Sequence, residues 1–277
     1  MIFFMERKVS SQRLPQLCCM LILLSPAKTL KPTNPSAEQH GDALTTPVFL
    51  DHAKAFAKAM SAWDLNATMT KLKLSESMGL RAMKWHEDWQ EHGGHAAGWT
   101  FQGDAFKSLD LVSFREDQMD GAQRRLRILN GAYGMLRPLD RYRPVRLEMG
   151  HKGCPLEGFN SMTQFWRPQL AAQMQLESEA LGTPKILNLA SAEYGDVALH
   201  GRPDGDVISC AFLERKGGDV KSVSAYAKAA RGAMARFVLI HDIQGAKELE
   251  QFDGLGYRFD QELSSPEKKV FTRTLAP

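Results

Sequence analysis

Cysteine is scarce in this chain of 277 residues and poorly placed for metal or redox chemistry. Cys18, Cys19, Cys154 and Cys210 form no C-x-x-C pair and no Cys/His ligand spacing. A disulfide framework and a structural zinc site are therefore not expected, and reduced thiols in the cytoplasm fit best. The eight histidines are scattered, and His86, His92 and His95 make no zinc pattern with cysteine. No 2-His-1-carboxylate spacing points to iron. Neither a metal nor a cofactor is expected.

Also missing is an apolar run long enough to span a bilayer. Leu17–Leu24, with Arg7, Lys8 and Arg13 before it and Ser25-Pro26-Ala27 after it, imitates a secretory signal. It is too short to cross a membrane and contains vicinal cysteines. Residues 1–19 read instead as a poorly ordered extension or start-site artefact ahead of a strand that begins at Met20. The sequence has no G-x-S-x-G, no G-x-x-x-x-G-K-[ST], no H-E-x-x-H and no dinucleotide fingerprint, so no motif names a reaction. A binding protein is expected ahead of an enzyme.

What is present is an ordinary globular composition, 43% apolar and 24% charged, with no repeat or low-complexity tract between domains. Residues 20–277 are therefore read as one domain. The net charge of +3 is unevenly spread. Between Arg124 and Arg146 lie seven arginines (124, 125, 127, 137, 141, 143 and 146) and one carboxylate, Asp140, whereas Asp242–Glu262 holds six acids and two bases. Such asymmetry suggests one positive surface for an anionic partner.

The apolar runs Met20–Leu24 and Lys185–Ala190 read as strands, each ending in a polar loop, Ser25–Thr29 and Ser191–Tyr194. In α/β sheets ligands bind at such carboxyl ends. Helices are expected over 48–63, 65–72, 76–89, 119–130, 160–182 (with a bend at Pro168) and 224–240. Val145–Met149, Val207–Glu214, Asp219–Val223, Tyr257–Phe259 and Lys269–Thr274 read as strands, the last two at edges. The glycines of Leu126–Gly150 (Gly131, Gly134) look like turns of a basic, anion-holding segment. On the 224–240 helix, Tyr226, Ala230, Ala233, Phe237 and Ile240 form the expected packing stripe.

Two constellations follow. Ser25, Lys28, Asp104, Glu193, Tyr194 and Lys228, with Arg137 and Glu148 nearby, would suit a pocket at the strand ends; a buried salt-bridge network uses the same residue types. Lys71, Lys73, Arg124, Arg125, Arg127, Arg137, Arg143, Lys228, Arg231 and Arg236 would form a phosphate-contacting wall.

LILLSPAKTL (21–30), FQGDAF (101–106), LRILNGAYGMLRPLD (126–140), YRPVRLEMG (142–150), QFW (164–166), LNLASAEY (187–194) and YAKAARGAMARF (226–237) occur in one order along the chain. As a set they resemble the YaaA family of peroxide-stress proteins, from Met20 almost to the C-terminus. The resemblance implies an α/β (mixed α+β) fold of one domain, a curved mixed sheet flanked by helices, with a helix-hairpin-helix-like element. It implies a cytoplasmic protein of the hydrogen peroxide response, limiting oxidative damage and linked to lower free iron. It also implies nonspecific binding of double-stranded and junction DNA in a positive cleft, with DNA-repair proteins as further partners. Residues 65–89 are the better candidate for the hairpin, although their glycine, Gly79, falls late for such a motif. The rival is an enzyme acting on a phosphorylated or nucleotide-like substrate at the strand ends.

Overall fold

The protein, described by a computed structural model, is resolved here over residues 19–31, 33–35, 44–90, 94–183, 185–216 and 219–274. The expected extension before Met20, except for Cys19, lies outside the described residues, as do Gly217 and Gly218 between the expected strands Val207–Glu214 and Asp219–Val223.

Strand β1 (Leu21–Leu24) is buried on both faces, as a continuous apolar run requires. The short β2 (Thr29–Leu30) follows. Helix α1 (Leu50–Ser61) buries Ala53, Phe56 and Met60 at helical spacing. Asp64 caps α2 (Leu65–Leu72) by accepting from the Ala67 N–H at 2.7 Å. Lys73 closes α2 in the left-handed conformation (φ 53°), which lets α3 (Glu76–Glu87) start three residues later. Gly79 lets the two helices approach closely, since a Cβ there would stand 2.8 Å from Met69 Cγ. The helix pair expected at 65–89 is thus present.

The chain then forms the short β3 (His95–Ala96) and the buried single turn α4 (Ala97–Thr100). Next come β4 (Phe101–Gln102), α5 (Asp104–Leu109) and α6 (Glu116–Arg125). The helix expected over 119–130 stops at Arg125, and LRILN forms the fully buried strand β5 (Leu126–Asn130). Its apolar residues Leu126, Ile128 and Leu129 suit a central strand, and pairing with β1 overrides the helical reading. Asn130 Oδ1 then accepts from the Ala132 and Tyr133 N–H groups, and Gly134 takes φ +65°, turning the chain into β6 (Gly134–Leu136). These glycines therefore shape a buried hairpin, not an anion loop. A Cβ on Gly131 would collide with the Leu147 carbonyl.

β7 (Arg141–Tyr142) pairs with β3, and Val145–Met149 is not a strand. Ser161 caps α7 (Met162–Leu181), which runs through Pro168 as one helix and ends on left-handed Gly182. β8 (Ile186–Leu189), α8 (Ala192–Ala198), β9 (Val207–Lys216), β10 (Asp219–Lys221) and α9 (Ser224–Ile240) follow. The buried face of α9 carries Ala227, Ala230, Met234, Ala235 and Val238, while Tyr226 is exposed, so the helix is rotated from the expected stripe. β11 (Arg258–Phe259) and β12 (Lys268–Thr274) complete the fold.

Eight strands form one mixed sheet, ordered β11-β12-β9-β8-β1-β5-β6 with β10 paired to β9. β12, β9, β8, β1 and β5 run parallel, and β6, β10 and β11 are antiparallel additions. β12 lies inside the sheet between β11 and β9, so only β11 is an edge there.

Candidate functional site

The chain leaves β1 towards β5 on one side and leaves β8 towards β9 on the other. The carboxyl ends of β1 and β8 therefore flank a topological switch point, where open α/β sheets leave a crevice. The next residues are serines held to one another: the Ser191 N–H donates to Ser25 Oγ at 2.8 Å, and Ser25 Oγ donates to Ser191 Oγ at 3.2 Å.

Above them opens a cavity of about 410 Å³. All six residues expected at the strand ends line it: Ser25, Lys28, Asp104, Glu193, Tyr194 and Lys228. Glu148 lies there too, whereas Arg137 does not. Lys107 and Arg231 complete the charged lining.

The lining differs from part to part. α5 and α9 supply Asp104, Lys107, Lys228 and Arg231, and they pack so closely that a Cβ on Gly232 would collide with the Ala105 carbonyl. Glu193 and Tyr194, from α8, and Glu148, from the segment after β7, make up another part of the lining. The Tyr194 hydroxyl donates to Glu148 Oε2 at 2.6 Å, Arg146 sits 3.4 Å from Glu148 Oε1, and Glu193 Oε1 accepts from the Gly150 N–H at 3.1 Å. Burial and the adjacent Glu148 charge push the Tyr194 phenol well above the usual range, so it stays a donor.

The side chains of Lys28, Lys107, Lys228 and Arg231 make no hydrogen bond or ion pair among the described residues. Burial lowers the pKa of Arg231, and its Nε is buried without a partner. With the exposed Lys28, Lys107 and Lys228 around the same cavity, Arg231 makes a positive lining suited to an anion.

The other expected cations lie elsewhere. Arg125 is buried, donating to Asp242 at 2.8 Å and to the Met20 carbonyl at 3.2 Å. Arg127 is buried against Glu177. Arg137 pairs with Asp140 at 3.3 Å, and Arg236 pairs with Asp110 at 3.5 Å and faces Phe114. Arg143 lies 4.9 Å from the Trp89 ring. Arg124 is exposed beside Cys19 and Gly182, which precede β1 and β8, so it sits at the opposite end of the sheet from the cavity. The expected single arginine wall is therefore not formed. Lys71 and Lys73 are exposed on the helix pair, and their charges depress His151 after burial has lowered it. Lys107 was not singled out in the sequence; its signal is the i+3 spacing from Asp104 on α5.

Among the described residues no group of His, Cys, Asp and Glu could hold a metal ion, and no helix is long and apolar enough to cross a membrane.

The family model described as peroxide stress protein YaaA matches residues 20–263. A UPF0246 protein of Ruegeria sp. strain TM1040 is 40% identical over 256 residues, 92% of this chain and 100% of that protein. UPF0246 proteins of Cellvibrio japonicus and Idiomarina loihiensis are each 35% identical, over 92% of this chain and 98% of their own length. The motifs between Met20 and Phe237 and these matches agree, and the chain belongs to the YaaA family of peroxide stress proteins.

Proposed function

We propose that this peroxide-stress protein acts in the cytoplasm by holding DNA, without regard to base sequence, across the mouth of the strand-end cavity and the α2–α3 helix pair. The observation that carries this reading is the set of unpaired cations Lys28, Lys107, Lys228 and Arg231 at the cavity, with Lys71 and Lys73 exposed on the helix pair. Such groups contact phosphates and carry no sequence information. Arg125 and Arg127 leave the contact set because they are buried in ion pairs. Protection from peroxide damage and lower free iron would follow from events on or around bound DNA, with DNA-repair proteins as partners.

The test is duplex affinity measured by fluorescence anisotropy across a salt series. Lys28→Glu/Lys228→Glu should weaken binding at least about tenfold and lower the salt slope by about 2. Unchanged affinity in the folded double variant would contradict the reading.

A second reading, catalysis on a phosphorylated or nucleotide-like substrate, is favoured by one observation: the strand-end residues converge in one cavity instead of lining an open groove. Turnover abolished by Tyr194→Phe or Lys228→Gln with duplex binding retained would establish it.

A further inference from the structure

The cavity is chemically divided, and that division specifies its ligand more narrowly than a net positive charge does. One part of it, on α5 and α9, offers the side chains of Lys107, Lys228 and Arg231, which have no partner among the described residues, beside the single carboxylate of Asp104. Another part of the lining offers carboxylate oxygens: Glu148 is held by the Tyr194 hydroxyl and by Arg146, and Glu193 by the Gly150 N–H alone. Leu24, Pro26, Ala27 and Leu189 add apolar surface to the lining.

An anion alone would satisfy the cationic side and be repelled by the carboxylates. A neutral polyol would satisfy the carboxylates and leave the cations unmatched. A ligand that suits all three surfaces has a phosphate at one end, hydroxyl or amino donors at the other, and a flat apolar body. At about 410 Å³ the space has the size of a small-ligand site, for which volumes of about 300–1,000 Å³ are usual.

We propose that the strand-end cavity binds one nucleoside monophosphate unit, its phosphate on the α9 side and its sugar or base donors on the Glu148–Glu193 side. The unit is either a free mononucleotide or the 5′-phosphorylated terminal nucleotide of a strand. This inference rests on the cavity underlying the second reading above and not on duplex binding along its mouth.

Calorimetry and anisotropy on the full chain test it with four probes: a nucleoside monophosphate panel, ribose 5-phosphate, inorganic phosphate, and a single-stranded oligonucleotide with or without a 5′-phosphate. At least one monophosphate, or the phosphorylated oligonucleotide over its hydroxyl counterpart, should bind at least about tenfold more tightly than inorganic phosphate and ribose 5-phosphate. Preference for the free nucleotide or for the strand end identifies the source. Lys228→Gln should weaken every phosphorylated probe, whereas Glu193→Gln should weaken the nucleotide and leave inorganic phosphate unchanged. Equal binding of nucleotide and inorganic phosphate would overturn the proposal. So would a loss in Glu193→Gln that is the same for all probes. Duplex binding lost in Lys228→Gln with no nucleotide bound by the wild type would overturn this inference and leave the DNA reading standing.

Discussion

Arg127 and Lys228 are both cations that a reader of the sequence would offer to a phosphate, and the fold treats them in opposite ways. Arg127 belongs to the most basic stretch of the chain, yet it enters a central strand and is buried against Glu177 on α7. Lys228 lies in an alanine-rich helix, remains exposed, and lines the strand-end cavity with no side-chain partner among the described residues. Local charge density therefore says little about where an anion will bind. What matters is whether the folded chain supplies a counter-charge, because a buried, paired guanidinium has already exchanged water for a carboxylate. The cavity cations have made no such exchange.

The largest effect should come from breaking the buried side of this comparison. Arg127→Ala leaves Glu177 without its partner, at a cost of about 3–5 kcal/mol. Denaturant unfolding should show the midpoint falling steeply, while Lys228→Gln, at an exposed position, should change stability by no more than about 0.5 kcal/mol. Equal and small losses would mean that the arginine stretch is not part of the frame.

The helix pair beside the cavity has its own pH limit. His86 is buried on α3 with neither ring nitrogen hydrogen-bonded among the described residues, and burial lowers its pKa to about 4. The unfolded chain then binds the extra proton between about pH 6.5 and 4, so this stability is complete above that window and is lost as pH falls through it, by up to about 3 kcal/mol. His86→Leu should flatten the acid limb of a stability–pH curve. A curve identical to wild type would contradict the assignment.

A smaller effect is expected at Tyr194. Tyr194→Phe removes the hydroxyl that holds Glu148, costing about 1–2 kcal/mol, with ligand binding at the cavity altered more than the melting temperature. The smallest expected effect is none at all. The Cys210 thiol is pushed up to about 12 by burial, and burial also raises Cys154. Few thiolates exist at neutral pH to react with peroxide, so mass spectrometry after mild peroxide treatment should find Cys210 unoxidised. Early sulfenylation there would place peroxide sensing in the protein itself.

The sequence made the strand-end site legible because its signal is local: an apolar run followed by Ser25–Thr29, and another followed by Ser191–Tyr194. Both runs became parallel neighbours, and the helices that carry Asp104 and Lys228 closed over them. The α2–α3 pair was legible as two short helical runs, 65–72 and 76–89, although the cap that starts α2, Asp64, was not read from the sequence. The fate of the arginines was not, because it depends on distant partners. Asp242 reaches Arg125 across 117 positions and Glu177 reaches Arg127 across 50. LRILN was misread as helix for the same reason: Leu126, Ile128 and Leu129 fit either period, and only pairing with β1 and β6 decides. Nor does any local pattern show that Arg124 and Lys228 end at opposite ends of one sheet.

The most direct measurement sets the cavity mouth against the basic stretch. Duplex affinity and its salt slope should be determined side by side for Lys28→Glu/Lys228→Glu, at the carboxyl ends of the strands, and for Arg124→Glu/Arg141→Glu, drawn from the exposed arginines of the basic stretch. The expected result is a loss of about tenfold or more with a flatter slope for the first pair, and a change within about twofold for the second. The reverse order would contradict the assignment of the cavity mouth as the anion-binding surface.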